Sequence, residues 1–346
     1  MDITCREDKL LCLVLCRMTF LSTGEKIKLI KKLDSLHNVI VQSIEDISTI
    51  IGRKSRARWN GKFVLRQAQQ DLHLIEKLNI SMVLCTDEEY PASLREISDP
   101  PFLLFYRGNI KILRNSCISV VGTRRMSMNA GRECVEFSKS ACLDGNNIVS
   151  GLAYGIDRKA HEGALKAFEE ASDKSLVGRT VAVLPGAIDN IVPEGNRKLA
   201  VKILESGGVI LSEYPPGEEA LPYRFVQRNR IIAGLSSATV VIQAPPGSGA
   251  MHTAEFALDY NRELMFHREA FSDSSMKISS IVRRQLSIAA DKNSIEEKKL
   301  KMDPELYVHD GAPIIKNYAD FLECMFELPG KRSCEQTKEV QLTLFD

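Results

Sequence analysis

This sequence predicts an α/β fold: a doubly wound, mostly parallel sheet preceded by a small N-terminal helical domain. Three observations carry that expectation. From Ser116 onward, short apolar segments alternate with amphipathic runs of helix length. Those apolar segments are continuous rather than alternating, the mark of strands covered on both faces as in a parallel sheet. Before them, the first 55 or so residues show helical periodicity and no strand pattern. A chain of 346 residues also exceeds one typical core, at roughly 150 residues per domain.

The elements follow in order. Residues 1–55 are expected to form a helical module, with apolar runs at Leu10 to Leu15, Ile27 to Leu33 and Ile44 to Ile51, parted by Ser22-Thr-Gly24 and His37-Asn38 and closing near Gly52. Residues 56–110 read as a linking region, with a helix from Lys62 to Leu78 and a strand candidate from Ser81 to Cys85. The prolines at 91, 100 and 101 punctuate its end. The core, 111–270, contains strands at 117–121, 147–150, 180–184, 208–211 and 238–243 and a weaker one at 263–266. Helices are expected over Asn129–Leu143, Asp157–Glu170 and Gly195–Glu205. That makes about six strands. Residues 271–305, rich in Ser, Lys and Glu, read as a mobile or helical insertion; 306–327 complete the core domain, and 328–346 form an exposed tail.

Composition excludes several classes. With 44% hydrophobic and 26% charged residues the chain is neither collagenous nor wholly disordered. A net charge of +1 excludes a protein basic all over, yet leaves room for a local basic cleft. The nine cysteines are odd in number and contain no C-x-x-C pair, so reduced thiols in a cytoplasmic protein are expected rather than a zinc site or disulfide framework. The apolar run Leu10 to Cys16 is preceded by Asp2, Glu7 and Asp8 and interrupted by Arg17, which suits a first helix better than a secretion signal. No stretch approaches the roughly 20 apolar residues of a membrane span.

Ligands of doubly wound sheets bind beyond the carboxyl ends of the strands. The loops there are Gly122-Thr-Arg-Arg-Met-Ser-Met-Asn129, Ser150-Gly-Leu-Ala-Tyr-Gly-Ile-Asp157, Pro185-Gly186, Ser212-Glu-Tyr-Pro-Pro-Gly217 and Pro245-Pro-Gly-Ser-Gly249. Glycine where a strand turns into a helix lets backbone N–H groups approach an anion, and the helix N-terminus adds positive potential. With Arg124 and Arg125 in the first loop, the edge reads as a phosphate site. Arg228-Asn229-Arg230 at a helix start suits bidentate phosphate contacts.

Other chemistries find less support. Gly122 is followed by bulky Thr123, Arg124 and Arg125 where a dinucleotide fingerprint requires glycine, and no Walker lysine loop occurs. No cofactor and no metal are expected. Asp157 and His161, four apart on one helix, read as structural groups at the cleft, a helix cap and a hydrogen-bonding imidazole, rather than an acid–base pair. Thr253 joins them there. Tyr154, Tyr214 and Phe225 lie near the loops as stacking candidates.

Several motifs together resemble those of the DNA-processing protein A family (DprA/Smf). They are Ser119-Val-Val-Gly-Thr-Arg-Arg-Met-Ser127, Val149-Ser-Gly-Leu-Ala-Tyr-Gly-Ile-Asp157 continuing to Leu165, Gly178-Arg-Thr-Val-Ala-Val-Leu184, Leu211-Ser-Glu-Tyr-Pro-Pro-Gly217, Arg228-Asn-Arg-Ile-Ile-Ala-Gly-Leu235 and Ser248-Gly-Ala-Met-His-Thr-Ala254. The resemblance spans roughly residues 80–325. It implies an extended Rossmann-like fold and a non-catalytic, single-stranded DNA-binding protein, homodimeric through the sheet domain, that hands DNA to the RecA recombinase during uptake of transforming DNA. Carried onto this sequence, the resemblance puts successive backbone phosphates on Arg124, Ser150-Gly151 and Arg228; with the loops around them, the expected phosphate-binding residues are Gly122, Thr123, Arg124, Arg125, Ser150, Gly151, Ala153, Gly155, Gly186, Arg228, Asn229, Arg230, Ser248 and Gly249. The chain departs from the family at Val192-Pro193, at Phe225-Val226 and at His267-Arg-Glu269.

The alternative is a nucleoside monophosphate phosphoribohydrolase of the related branch, whose P-G-G-x-G-T-x-x-E loop resembles Pro245 to Glu255. Here the glutamate falls six residues after the last glycine rather than four, which turns it away on a helix. Finally, Gln341-Leu342-Thr-Leu344-Phe345-Asp346 resembles the peptide by which bacterial replication and repair proteins dock on the DNA sliding clamp, with Leu342, Leu344 and Phe345 as apolar anchors and Gln341 fixing register.

Overall fold

The computed structural model describes residues 5–290 and 294–326. The N-terminal helices are α1 (Arg6–Arg17), α2 (Thr23–Leu33), α3 (Leu36–Ile40), α4 (Ile44–Ile51) and α5 (Gly61–Lys77). Local chemistry sets their ends: Ser22 with Glu25 and Ser43 with Asp46 form capping boxes on α2 and α4, and Gly52 ends α4 at φ +83°, a conformation that favours glycine. The expected helix 62–78 is α5. It is fastened to α1 by the Arg17 guanidinium, whose Nε and Nη2 both donate to Asp71 at 2.6 Å.

The remaining elements are β1 (Ser81–Leu84), α6 (Ala92–Arg95), β2 (Leu103–Gly108), β3 (Cys117–Gly122), α7 (Met128–Leu143), β4 (Asn147–Ser150), α8 (Ile156–Glu170), β5 (Thr180–Val183), α9 (Arg197–Glu205) and β6 (Val209–Ser212). After them come α10 (Pro222–Gln227), α11 (Asn229–Leu235), β7 (Ala238–Gln243), α12 (Gly249–Asp259), β8 (Glu263–His267), α13 (Asp273–Ala290), α14 (Ser294–Lys301), α15 (Pro304–His309), β9 (Ile314–Ile315) and α16 (Tyr318–Phe326).

The described strands form one nine-stranded sheet in the order β1-β2-β6-β5-β4-β3-β7-β8-β9. All pairs are parallel except β1 with β2 and β2 with β6. The fold class is as expected, and the strand count of about six is corrected to nine. Three strands escaped it. β2 follows directly on Pro100-Pro101, which punctuate the approach to the strand and not the strand itself. β1 is the strand candidate expected over Ser81 to Cys85, which lies in the linking region and outside the count for the core, and β9 is two residues long.

Both faces of the central strands are buried. In β3, Ile118 and Val120 face a layer containing α7, α8 and α16, while Cys117 and Val121 face the opposite layer with α11, α12 and the N-terminal helices. Continuous apolar strands are the result. The helix expected from Gly195 starts at Arg197, after a 3₁₀ turn over Glu194–Asn196. The insertion is helical: α13 and α14 return to the domain through Arg283, which pairs with Asp303 at 2.6 Å and Glu305 at 2.7 Å.

Among the described residues no helix is long and apolar enough to cross a membrane, and the eight described cysteines are free thiols. The expected tail, with Gln341, Leu342, Leu344 and Phe345, lies outside the described residues.

Candidate nucleic-acid interface

Strand order reverses at β3. The chain runs from β3 through β4 and β5 to β6 on one side, and from β7 to β9 on the other. Doubly wound sheets open a crevice at such a switch point, outside the strands' carboxyl ends. A cleft of about 340 Å³ lies there, lined among others by Gly122, Thr123, Arg124 and Arg125 after β3, Ala153 and Asp157 after β4, Phe225, Arg228 and Asn229 of α10–α11, and Ser248, Gly249 and Thr253 of α12.

The arginine loop is held from β7. Thr123 N donates to the Gln243 carbonyl at 2.7 Å and Ser127 N to the Gln243 side-chain oxygen at 2.8 Å, while the Gln243 amide donates to Ser275 of the insertion at 2.6 Å. Arg124 and Arg125 are exposed. Neither forms an ion pair among the described residues. Arg124 instead lies over the Phe225 ring, 5.1 Å from its centroid, an arrangement that leaves a cation and an aromatic face side by side at the rim.

Arg228 forms the floor. It is 3% exposed, its Nη1 donates to the Val183 carbonyl at 2.6 Å, and its Nη2 stands 3.9 Å from Asp157. Burial pushes its pKa down to about 10, with Asp157 opposing and Arg124 adding to the shift, so it stays charged at neutral pH. Burial likewise raises the Asp157 carboxyl, against Arg228 and the N–H groups of Ala153 and Gly151, which lower it. Gly151 lies beneath the guanidinium: a Cβ there would come within 1.8 Å of Arg228 Nη1. Glycine at 151 is what lets Arg228 lie flat.

Two groups in this cleft are buried without a hydrogen-bond partner, Arg228 Nε and Ser248 Oγ. Helix α12 begins here without a side-chain cap, whereas at the start of α8 the Ile156 and Arg158 N–H groups donate to the Thr123 and Ala153 carbonyls. The uncapped start of α12 and two unpaired arginines call for an anion.

The structure does not bring every expected residue to the cleft. Arg230 points to the other side of α11, where it meets Glu213 at 2.6 Å and Asp99 at 3.1 Å. Ser150 is buried and donates to the Val120 carbonyl at 2.7 Å. Gly155, at φ +79°, packs under the Thr123 carbonyl, and Gly186 under the backbone of Glu219 and Ala220. Tyr214 also turns away, its hydroxyl 3.0 Å from Gln227. His161 is fully buried with Nδ1 2.6 Å from Thr180 Oγ1, a structural contact, and burial pushes its pKa down to about 3. The helix-capping role expected of Asp157 is corrected: Gly155 occupies the N-cap of α8, and Asp157 accepts from the loop before it.

Glu255, the alternative catalytic carboxylate, lies outside the cleft, 3.0 Å from Lys298 and 3.6 Å from His252. Thr253 takes the inward position, because residues two apart on a helix face different ways. Sequence reading missed Gln243, which organises the arginine loop. A polar residue ending an apolar strand was the available signal.

Comparisons place this geometry among known proteins. Protein Smf of Borreliella burgdorferi is 33% identical over 275 residues, which cover 79% of this chain and 84% of that protein. DNA processing protein DprA of Streptococcus pneumoniae is 39% identical over 178 residues, 51% of this chain and 59% of that one. The X-ray structure of the pneumococcal protein superposes with a TM-score of 0.67 at 27% identity, covering 95% of this chain and 100% of that one. DNA processing protein A of Helicobacter pylori superposes at 0.54 and 25% identity over 71% of this chain and 95% of that one. The sequence profile described as DNA recombination-mediator protein A matches residues 81–298. With that match over most of the chain, the chain belongs to the DNA recombination-mediator protein A family.

Proposed function

We propose that the cleft holds the phosphate backbone of single-stranded DNA. The observation that carries this reading is the pairing state of its cations: Arg124 and Arg125 face no carboxylate among the described residues, and Arg228 lines the cleft beside the uncapped start of α12, its nearest carboxylate 3.9 Å away. Single-strand binding requires a cationic groove that tracks one backbone, with ring faces beside it for the bases. Phe225 supplies such a face next to Arg124. The Helicobacter pylori structure is described as showing a single-stranded DNA binding mode, and its likeness to this chain supports the reading.

The protein acts, on this proposal, as a binding protein with no catalytic step. Its Glu255 is engaged with Lys298 away from the cleft. It protects single strands in the cytoplasm as a homodimer and hands them to the RecA recombinase during DNA uptake and recombination. The C-terminal Gln341 to Phe345 docks on the sliding clamp. Fluorescence anisotropy with one labelled oligonucleotide, alone and annealed to its complement, tests the core of this. The single strand is expected to bind about tenfold or more tightly than the duplex, since the cleft follows one backbone and stacks unpaired bases. Equal affinity for both forms would remove the reading.

A further inference from the structure

A second cavity, about 560 Å³, opens between α1, α2 and the end of β6, on the far side of α10 from the cleft. Its volume lies within the range of small-molecule sites, about 300–1,000 Å³. One cation in its wall lacks a hydrogen-bonding partner. Lys26 is 8% exposed, and its ammonium stands 5.3 Å from the centroid of the Phe102 ring. The ammonium makes no hydrogen bond or ion pair among the described residues, and burial pushes its pKa down. Arg230 and Glu213 are joined to each other at 2.6 Å, and their spare Nη1 and Oε1 are enclosed by protein and closed to the cavity.

The neighbouring cations are accounted for. Arg17 pairs with Asp71 and Glu218, and Arg224 with Glu218. What remains is one ammonium without a hydrogen bond, in a chamber whose rim carries the exposed Tyr223 ring. Burying an ammonium without a hydrogen-bonding partner costs free energy that a ligand can recover. The matching chemistry is an anion for Lys26 and a planar body for the aromatic rim. A nucleotide combines both.

We propose that this cavity binds a nucleoside monophosphate unit, with its phosphate on the Lys26 ammonium and its base against the Tyr223 ring. The unit is either a free nucleotide or the end of a DNA strand. The site is separate from the cleft, so its test does not depend on the DNA reading.

Isothermal calorimetry on the whole chain with AMP, GMP, UMP, dTMP and inorganic phosphate addresses it. At least one nucleotide is expected to bind saturably and more tightly than phosphate. Lys26→Met should weaken that binding by about tenfold or more, the loss of one charge-assisted hydrogen bond. Because it removes a lone buried charge, the variant should melt no lower than the parent. Tyr223→Ala, on the exposed rim, gives a second reading that does not disturb the core. In the Arg124→Ala background, where the cleft is disabled, displacement of the nucleotide by an oligonucleotide supports the site and assigns it to a strand end; no displacement supports it as a site for free nucleotides. No saturable binding of any nucleotide at millimolar concentration, affinity unaltered by Lys26→Met, or phosphate binding as tightly as the best nucleotide would overturn it.

Discussion

The two cavities flanking α10 contain similar numbers of arginines and differ in how those arginines are partnered. In the cleft Arg124 and Arg125 face no carboxylate, and Arg228 has only Asp157, at 3.9 Å. Across the helix Arg17, Arg224 and Arg230 are each held by carboxylates at 3.2 Å or less. The motif Arg228-Asn229-Arg230 sends one arginine to each side, since residues two apart on a helix do not face each other. Charge in a sequence motif therefore does not by itself mark an anion site; the pairing of each charge is set by the fold. The same motif supplies an arginine held by two carboxylates on one side and, on the other, one whose nearest carboxylate is 3.9 Å away.

The largest effect expected from breaking this contrast belongs to Arg230. Arg230→Ala leaves Glu213 buried without its cation, at a cost of about 3 kcal/mol of stability, with DNA affinity of the folded fraction unchanged. Urea denaturation and anisotropy on the same preparation check both halves, and a loss of DNA affinity without loss of stability would place Arg230 in the cleft after all.

Gly151→Ala sharpens the other half. The added methyl must push aside the Arg228 guanidinium, the end of a flexible side chain, so the fold should survive. DNA affinity should fall by about tenfold, as expected for one charge-assisted contact. Unchanged affinity would show that Arg228 does not reach the strand.

A pH-dependent effect separates the buried imidazole from the cleft. The His161 pKa of about 3 in the fold lies below its ordinary 6.5, so the unfolded chain takes up the proton first as pH falls. Its contribution to stability is fully present above about 6.5 and is lost toward 3, at about 1.4 kcal/mol per pH unit. His161→Gln should flatten that part of the profile between pH 6.5 and 5. An identical profile in the variant would mean that another group titrates there.

Much of this was legible in the sequence because the determinants are local. Continuous apolar strands with glycine loops at their ends disclosed the doubly wound core, and the polar breaks at Ser22-Thr-Gly24 and His37-Asn38 parted the first helices. The antiparallel β2 was not legible, because its pairing with β6 is set by partners a hundred residues away. The arginine loop was visible as Gly122 to Arg125, whereas its anchor Gln243 and the seat of Arg228 over Gly151 depend on contacts between separate strand ends. Direction was the hidden variable. Sequence placed Arg230, Gly186 and Ser150 near the edge but could not say which way each faces.

The central claim is that unpaired arginines at the switch point contact phosphate, and the salt dependence of Arg124→Ala tests it most directly. Plotted as log affinity against log salt, single-strand binding by the parent should fall linearly, each phosphate contact contributing a slope of about 0.7. The variant should bind more weakly on every sequence, with a slope shallower by about 0.7. A folded variant with the parent's affinity and the parent's slope would contradict the account.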